Sequence, residues 1–151
     1  MSGPSNRETI DRFYRALNAR NFGAIAELLD PDAVQVWPQS GEHFRGRDTI
    51  RAVLENYSQL PAVEQARVIG TADKWILTPS WTPLRITGTG DEYTVETKIT
   101  YPNGETWSGV VIIEFQQGKV AKLTQYFAAP FSAAEWRSRW AEKMESQTPK
   151  T

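Results

Sequence analysis

The spacing of hydrophobic residues divides the chain into a helical first part and a β-rich second part. Before Pro61, apolar residues recur every three or four positions, which predicts amphipathic helices. Ser5 and Glu8 form a capping-box pattern at the start of the first helix. Asn21 and Asp48 are positioned to cap a second and a third helix. The inward stripes of these helices are Ile10, Phe13, Tyr14, Leu17, Phe22, Ile25, Ala26, Leu29, Ile50, Val53, Leu54 and Tyr57.

After Pro61 the period of the hydrophobic pattern changes to two, which is typical of β-strands. The predicted strands of this part are Val63–Gly70, Trp75–Thr78, Arg85–Gly88, Glu92–Tyr101, Thr106–Phe115 and Lys119–Phe127. One short apolar strand, which begins at Val34, is also predicted before the third helix. Turn sequences at Thr89–Asp91, Asn103–Gly104 and Gln117–Gly118 predict hairpins between the last four strands. Because tight turns join antiparallel neighbours, we expect a meander.

A second capping-box pattern lies near the end of the chain. Ser132 and Glu135 come before a stripe of large apolar residues, which predicts a C-terminal helix. The stripe consists of Trp136, Trp140 and Met144. Helices followed by strands predict an α+β fold in which the N-terminal helices cover one face of an antiparallel sheet. No repeat or linker divides the sequence, so we predict one domain over all 151 residues.

One predicted strand suggests how the chain assembles. The segment Gly109–Phe115 is apolar at nearly every position, which predicts that both faces of the strand are covered. The helices can cover only one of these faces. The simplest cover for the other face is the same sheet of a second copy, so we expect a homodimer through the sheet.

The composition argues against several classes of function. The net charge is −1 and no basic run occurs, so nucleic acid is a poor candidate partner. Cysteine is absent and there is one histidine, which leaves no disulfide, no thiol nucleophile and no metal cluster beyond carboxylates. No apolar run approaches the ~20 residues that span a bilayer. We therefore expect a cytoplasmic protein with no membrane contact, no metal and no cofactor.

Five segments carry a resemblance to a known family. They are Phe13–Asn21, Asp32–Gly41, Arg45–Ile50, Gly118–Val120 and Gln125–Phe127. Together they resemble the SnoaL-like branch of the nuclear transport factor 2-like superfamily, over a core of about residues 5–142. The resemblance implies a cone-shaped, strongly curved sheet wrapped around the N-terminal helices, with an apolar pocket open at one end. It identifies the fold, but members of the family differ in their reactions.

The resemblance also implies where catalytic groups would lie. In the ketosteroid isomerases of this superfamily, a tyrosine and a protonated acid hold the enolate oxygen and an aspartate is the base. The tyrosine falls on Phe13, the base on Trp37 and the acid near Val111. Phe13 cannot donate a proton and Trp37 cannot accept one, so chemistry of that kind is not expected here.

The inward positions of the predicted sheet form an apolar wall with two polar interruptions, Thr97 and Gln125. An unpaired buried amide costs about 1–3 kcal/mol, so Gln125 bonds a backbone group or Tyr14, or it points at a ligand oxygen. Apolar walls with a few polar groups are typical of ligand pockets. The residues predicted to bind a small apolar ligand are Trp37, Tyr57, Thr97, Val111, Leu123, Gln125 and Phe127.

Two residues are candidates for acid–base catalysis. His43 is the only histidine, and histidine is the side-chain type that titrates near neutral pH, although a solvated hairpin is the alternative place for it. Tyr14 is either a core aromatic or a proton donor. Two functions therefore stay open. The first is a small-molecule-binding protein with an apolar cone pocket. The alternative is a cofactor-free lyase, isomerase or cyclase acting on a small apolar carbonyl or polycyclic compound.

Overall fold

The computed structural model of the chain describes residues 5–70, 74–77, 80, 83–86 and 90–144. Its three α-helices are α1 (Asn6–Asn18), α2 (Phe22–Leu28) and α3 (Arg47–Glu55). Its strands are β1 (Leu29–Trp37), β2 (Glu42–Arg45), β3 (Ala62–Gly70), β4 (Lys74–Leu77), β5 (Pro83–Ile86), β6 (Glu92–Thr100), β7 (Thr106–Gln116) and β8 (Lys119–Ala128). Within these ranges no helix has the length and apolar character needed to cross a membrane.

Two of the three predicted helix starts are confirmed. Ser5 and Glu8 form the reciprocal capping box of α1, and the Asn21 side chain accepts a backbone N–H of α2 at 3.1 Å. The predicted cap of α3 is wrong, because Gly46 occupies the N-cap with a φ of 95° and Asp48 lies in the first turn. The chain passes from β2 directly into α3, and this sharp turn needs a positive φ that glycine adopts without strain.

The main sheet has six strands in the order β2-β1-β8-β7-β6-β3, and it is curved but not closed. All neighbours are antiparallel except β1 and β8, which run parallel. The prediction of a purely antiparallel sheet is therefore wrong at this one pair. No tight turn joins β1 to β8, so nothing local to either strand determines their relative direction.

The hairpin predictions have mixed outcomes. Those at Asn103–Gly104 and Gln117–Gly118 are confirmed, since β6, β7 and β8 are successive antiparallel neighbours. The hairpin at Thr89–Asp91 is wrong, because β6 pairs with β3 and β7 while β5 pairs with β4 in a separate two-stranded sheet. Thr78 and residues 87–89, which belong to these predictions, lie outside the described residues.

The hydrophobic core lies between the three helices and the inner face of the six-stranded sheet. The inward residues that alternation predicts are confirmed on β6, where Val95, Thr97 and Ile99 are buried. Val111 on β7 and Leu123 on β8 are buried on the same face, and Val111 lies directly opposite Val95. The α+β class with helices against one face of a curved sheet is therefore confirmed.

The predicted C-terminal helix is wrong. Only one turn of 3-10 helix forms, Glu135–Arg137, and its N-cap is Ala134 rather than Ser132. Trp136 and Trp140 are 75% and 70% exposed, so neither ring enters the core. A short amphipathic helix is marginal in water without a surface that buries its apolar face, and the capping pattern alone does not replace that surface.

Candidate functional site

A narrow cavity lies between α1, α3 and the inner face of the sheet, and its volume is about 50 Å³. Its apolar wall includes Phe13, Leu17, Leu54, Ile99 and Val111. The lining residues whose side chains carry polar atoms are Tyr14, Gln35, Trp37, Tyr57, Thr97, Gln125 and Tyr126. None of the lining residues that the structure describes is charged. The same described ranges contain no group of three or more His, Cys, Asp or Glu side chains arranged to hold a metal ion.

A hydrogen-bonded group of three side chains joins β1 to β8 in the cavity wall. The Trp37 indole Nε1 donates to Gln125 Oε1 at 2.8 Å, and Gln35 Nε2 donates to the same oxygen at 2.6 Å. Because an indole N–H can only donate, the Gln125 oxygen must face Trp37, and Gln35 must present its N–H₂ group to that oxygen. The Gln125 oxygen therefore accepts from two side chains, rather than bonding Tyr14 or a backbone group.

Two residues of the cavity wall each carry a buried polar atom that has no hydrogen-bond partner among the described residues. These atoms are the hydroxyl of Tyr14 and Oε1 of Gln35, in residues that are only 3% and 4% exposed. Burial raises the pKa of Tyr14, so its hydroxyl stays protonated well above neutral pH. Buried polar atoms without a partner are uncommon in native proteins, and each requires a physical explanation.

The cavity wall between β6 and β8 depends on a glycine. Gly109 of β7 lies opposite Thr97, and a Cβ atom added to it would lie 2.5 Å from Thr97 Oγ1 and 2.7 Å from Ile99 Cδ1. Both distances are too short for real atoms, so any other residue at this position would displace its neighbours. Because glycine has no side chain, the side chains of Thr97 and Ile99 can extend over β7 toward the cavity.

A wider space, called here the outer chamber, adjoins the inner cavity and has a volume of about 240 Å³. It is lined by Trp37, Gln39, Ser40, Tyr57, Tyr101, Trp107 and Phe127. Three of these residues, Trp37, Tyr57 and Phe127, also line the inner cavity. The two spaces therefore share an aromatic wall, and no charged residue is among the described residues that line either of them.

Hydrogen bonds and ring contacts hold this shared wall in place. The Gln39 side chain forms two hydrogen bonds with the backbone of Phe127. Its Nε2 donates to the carbonyl oxygen at 2.7 Å, and its Oε1 accepts from the N–H at 2.5 Å. The Trp37 ring makes edge-to-face contacts with Phe44 and Phe127, at centroid distances of 4.8 Å and 5.6 Å. With its indole N–H bound as well, Trp37 has one defined orientation.

Seven of the nine predicted site residues lie around the inner cavity: Tyr14, Trp37, Tyr57, Thr97, Val111, Gln125 and Phe127. A binding role for them stays a prediction. Leu123 lines neither space, since it is 1% exposed in the core and lies opposite Ile113. Alternation assigns it correctly to the inner face but carries no information on how far along the strand the cavity extends. This position therefore gives no support to a ligand contact by Leu123, which stays a prediction.

His43 also lies outside both spaces. It is exposed on β2, and its Nε2 accepts a hydrogen bond from Arg45 Nε at 2.9 Å. β2 pairs with β1 so that Phe44 shares the inner face with Gln35, while His43 and Val36 share the opposite face. The position of His43 therefore gives no support to the predicted acid–base role in the cavity, which only kinetic measurements would test.

Sequence reasoning missed Gln35, although a signal for it was present. Gln35 precedes Trp37 by two residues, so alternation along β1 places both on one face. Tyr101 and Trp107 were also missed, together with the chamber they line. That chamber forms where the β6–β7 hairpin approaches the loop after β1, and contacts between such distant segments leave no local pattern.

Comparison with known proteins identifies relatives of this architecture. An NTF-2 like protein of unknown function from Burkholderia xenovorans LB400 is 33% identical, covers 93% of this chain and 95% of its own, and has a TM-score of 0.72. A protein from Kribbella flavida DSM 17836, provisionally assigned as a ketosteroid isomerase, is 20% identical over 94% of this chain and 91% of its own, with a TM-score of 0.73. A hypothetical protein from Catenulispora acidiphila DSM 44928, with a ketosteroid isomerase-like fold and in complex with trimethylamine, is 14% identical. It covers 80% of this chain and 85% of its own, with a TM-score of 0.62.

The family assignment follows from sequence as well as architecture. No protein of curated function matches the chain at a significant level. The sequence profile of the SnoaL-like domain matches residues 10–123, which is most of the chain and runs from α1 into β8. The chain belongs to the SnoaL-like family, within the nuclear transport factor 2-like superfamily.

Proposed function

We propose that this protein binds a small uncharged molecule whose polar group reaches the inner cavity. The observation that carries the proposal is the pair of unpartnered buried atoms, the Tyr14 hydroxyl and Gln35 Oε1. Each such atom costs about 1–3 kcal/mol when it has no hydrogen bond. A ligand that bonds to both would offset these costs, which gives the binding a source of free energy beyond apolar contact.

The electrostatic character of the lining supports an uncharged ligand. The described residues around both spaces include no Lys, Arg, His, Asp or Glu. A charged group moved from water into such surroundings loses its hydration without gaining a partner, which is strongly unfavourable. The amide and hydroxyl groups of Gln35, Gln125, Thr97 and Tyr14 are suited instead to a neutral hydroxyl, carbonyl or amide.

A cofactor-free isomerase, lyase or cyclase is the second candidate, and Tyr14 is the observation in its favour. A buried hydroxyl that stays protonated can donate to a carbonyl oxygen as negative charge develops there. The described lining residues nevertheless include no carboxylate, imidazole or amine to act as the base. If His43 supplies that base, His43→Gln must abolish turnover; an unchanged rate would exclude His43.

Ligand binding is tested by thermal unfolding in the presence of a panel of steroids, aromatic polyketides, terpenoid epoxides and phenolics. A ligand present at 100 times its Kd adds ~2.7 kcal/mol of stability. For a domain of this length we expect Tm to rise by several degrees. Arg12→Ala, on the exposed side of α1, is the control and should respond as the wild type does. A panel in which no compound raises Tm would contradict the proposal.

A homodimer through the sheet is also proposed, together with a cytoplasmic location. On the outer face of β7 and β8, Val110 and Tyr126 are exposed, and such apolar surface favours a protein partner. We expect light scattering to give a mass of two chains at micromolar concentration. Val110→Glu should yield monomers, whereas Ala52→Glu, an apolar-to-acidic change on the exposed side of α3, should leave the dimer intact. A monomeric wild-type protein would contradict this prediction.

A further inference from the structure

The inner cavity and the outer chamber differ in what they can hold. A cavity of about 150 Å³ is known to accept a benzene molecule. The inner cavity, at about 50 Å³, is too small for a ring, whereas the outer chamber, at about 240 Å³, is large enough for one. Any ring-bearing ligand that reaches the unpartnered atoms must therefore leave its ring in the outer chamber and extend only a slender polar group inward.

We infer that the ligand is an uncharged aromatic alcohol or primary carboxamide that seats its ring in the outer chamber and its polar group in the inner cavity. The inference rests on the proposed function and specifies its ligand class. The outer chamber is a second binding site in this scheme, separate from the polar atoms of the inner cavity.

The walls of the outer chamber fit an aromatic ring. Five of its seven lining residues are aromatic, and none is charged. Tyr101 and Trp107 meet edge-to-face at a centroid distance of 5.0 Å, and the Trp107 indole Nε1 donates to Glu105 Oε2 at 3.0 Å. Elsewhere in the lining, Gln39 joins Phe127 to the loop after β1 through two hydrogen bonds. Walls held in this way need little ordering when a ring enters, which favours binding.

The unpartnered atoms define the polar group. Gln35 Oε1 can only accept, so the ligand must carry a donor for it. The Tyr14 hydroxyl can donate or accept, and a ligand lone pair would satisfy its proton. A hydroxyl and a primary carboxamide each carry both a donor and an acceptor, and both are slender enough for the inner cavity. A hydrocarbon leaves the two atoms unpaired, and a carboxylate offers Gln35 no donor.

The two spaces share the Trp37 side chain. Its ring lines both of them, and its Nε1 is bound to Gln125 Oε1, which also accepts from Gln35. A ring that contacts Trp37 in the outer chamber therefore lies next to the hydrogen-bonded group that orients the unpartnered Gln35 oxygen. Tyr57 and Phe127 also line both spaces, so in this scheme the polar group extends inward between these three aromatic residues.

The test uses NMR titrations of the full chain with benzamide, benzyl alcohol, toluene, acetamide and benzoate. We expect benzamide and benzyl alcohol to bind at least tenfold more tightly than the other three. Ser40→Phe introduces a ring at an exposed residue that lines the outer chamber but not the inner cavity, and Ser132→Phe, the same change at an exposed residue that lines neither space, is its matched control. Ser40→Phe should weaken benzamide binding at least tenfold and leave the weak binding of acetamide unchanged.

The outcomes separate this inference from the proposed function. If Tyr14→Phe weakens benzamide binding while Ser40→Phe does not, the outer chamber is not the ring site, although the inner cavity still binds. If Ser40→Phe weakens binding while Tyr14→Phe does not, the inward polar group is wrong and the proposed function falls with it. Benzoate or toluene binding as tightly as benzamide would overturn the ligand class. No binding by any of the five would overturn both proposals.

Discussion

Tyr14→Phe is expected to stabilise the free protein by about 1–3 kcal/mol while it weakens ligand binding. The hydroxyl it removes is buried and has no partner among the described residues, so the folded state loses an unpaired group that the unfolded state leaves hydrated. The ring itself and its edge-to-face contact with Phe13, at a centroid distance of 5.3 Å, remain. A gain in stability combined with a loss of binding distinguishes a functional hydroxyl from a structural one.

Urea denaturation without ligand measures the first effect, and a titration with the best compound of the panel measures the second. Ser132→Ala is the control, because it removes a hydroxyl from an exposed residue that lines neither space, and it should change neither quantity. If Tyr14→Phe lowered the free energy of unfolding by 1 kcal/mol or more, the hydroxyl would have a structural partner. The binding proposal would then lose the observation on which it rests.

The same variant has a characteristic response to alkaline pH. Burial raises the pKa of Tyr14 above the value of about 10 that it has in the unfolded chain. Above pH ~10 the folded state therefore keeps a proton that the unfolded state releases. The free energy of unfolding is unaffected by this difference below pH ~10 and falls as pH rises further. Urea midpoints measured from pH 8 to pH 11 should fall less steeply in Tyr14→Phe. Part of the decline should persist, because burial and the hydroxyl of Tyr57 also raise the pKa of Tyr101.

Leu123→Ala is expected to have the largest effect on stability, a loss of about 2–5 kcal/mol. Its side chain is fully buried between the sheet and the helices, where the neighbouring residues cannot collapse completely into the space that alanine leaves. Because Leu123 lines neither the inner cavity nor the outer chamber, ligand affinity should be unchanged at temperatures where the variant is folded.

Chemical denaturation and a ligand titration at low temperature check this pair of results. Ile69→Ala is the control, since Ile69 is an exposed aliphatic residue on the edge strand β3. Its truncation should lower the free energy of unfolding by much less than Leu123→Ala does. A Leu123→Ala variant that kept its stability and lost its affinity would restore Leu123 to the binding site. It would also place the cavity deeper in the core.

Several parts of this fold follow from the sequence because their causes are local. The capping box of Ser5 and Glu8 depends on residues three apart, and the Asn103–Gly104 turn joins two adjoining strands. Alternation on β6 and β7 determines which side chains face inward, because a slip of one residue would exchange the buried and exposed faces. This alternation was enough to predict the inward positions of Thr97 and Val111, which line the cavity.

Other features were decided only by the tertiary structure. The parallel pairing of β1 with β8 brings Gln35 and Gln125 together across 90 residues of chain, and it creates the unpartnered oxygen that carries the proposed function. The same pairing brings Trp37 to Gln125, whereas Leu123, two residues earlier on β8, lines neither space. The C-terminal stripe is the opposite case, since Trp136 and Trp140 have helical spacing but stay largely exposed in the part of the chain that the structure describes. Periodicity indicates which face of a strand or helix is buried. Which strand pairs with which, in which direction they run and how deeply a residue is buried depend on contacts between segments far apart in sequence.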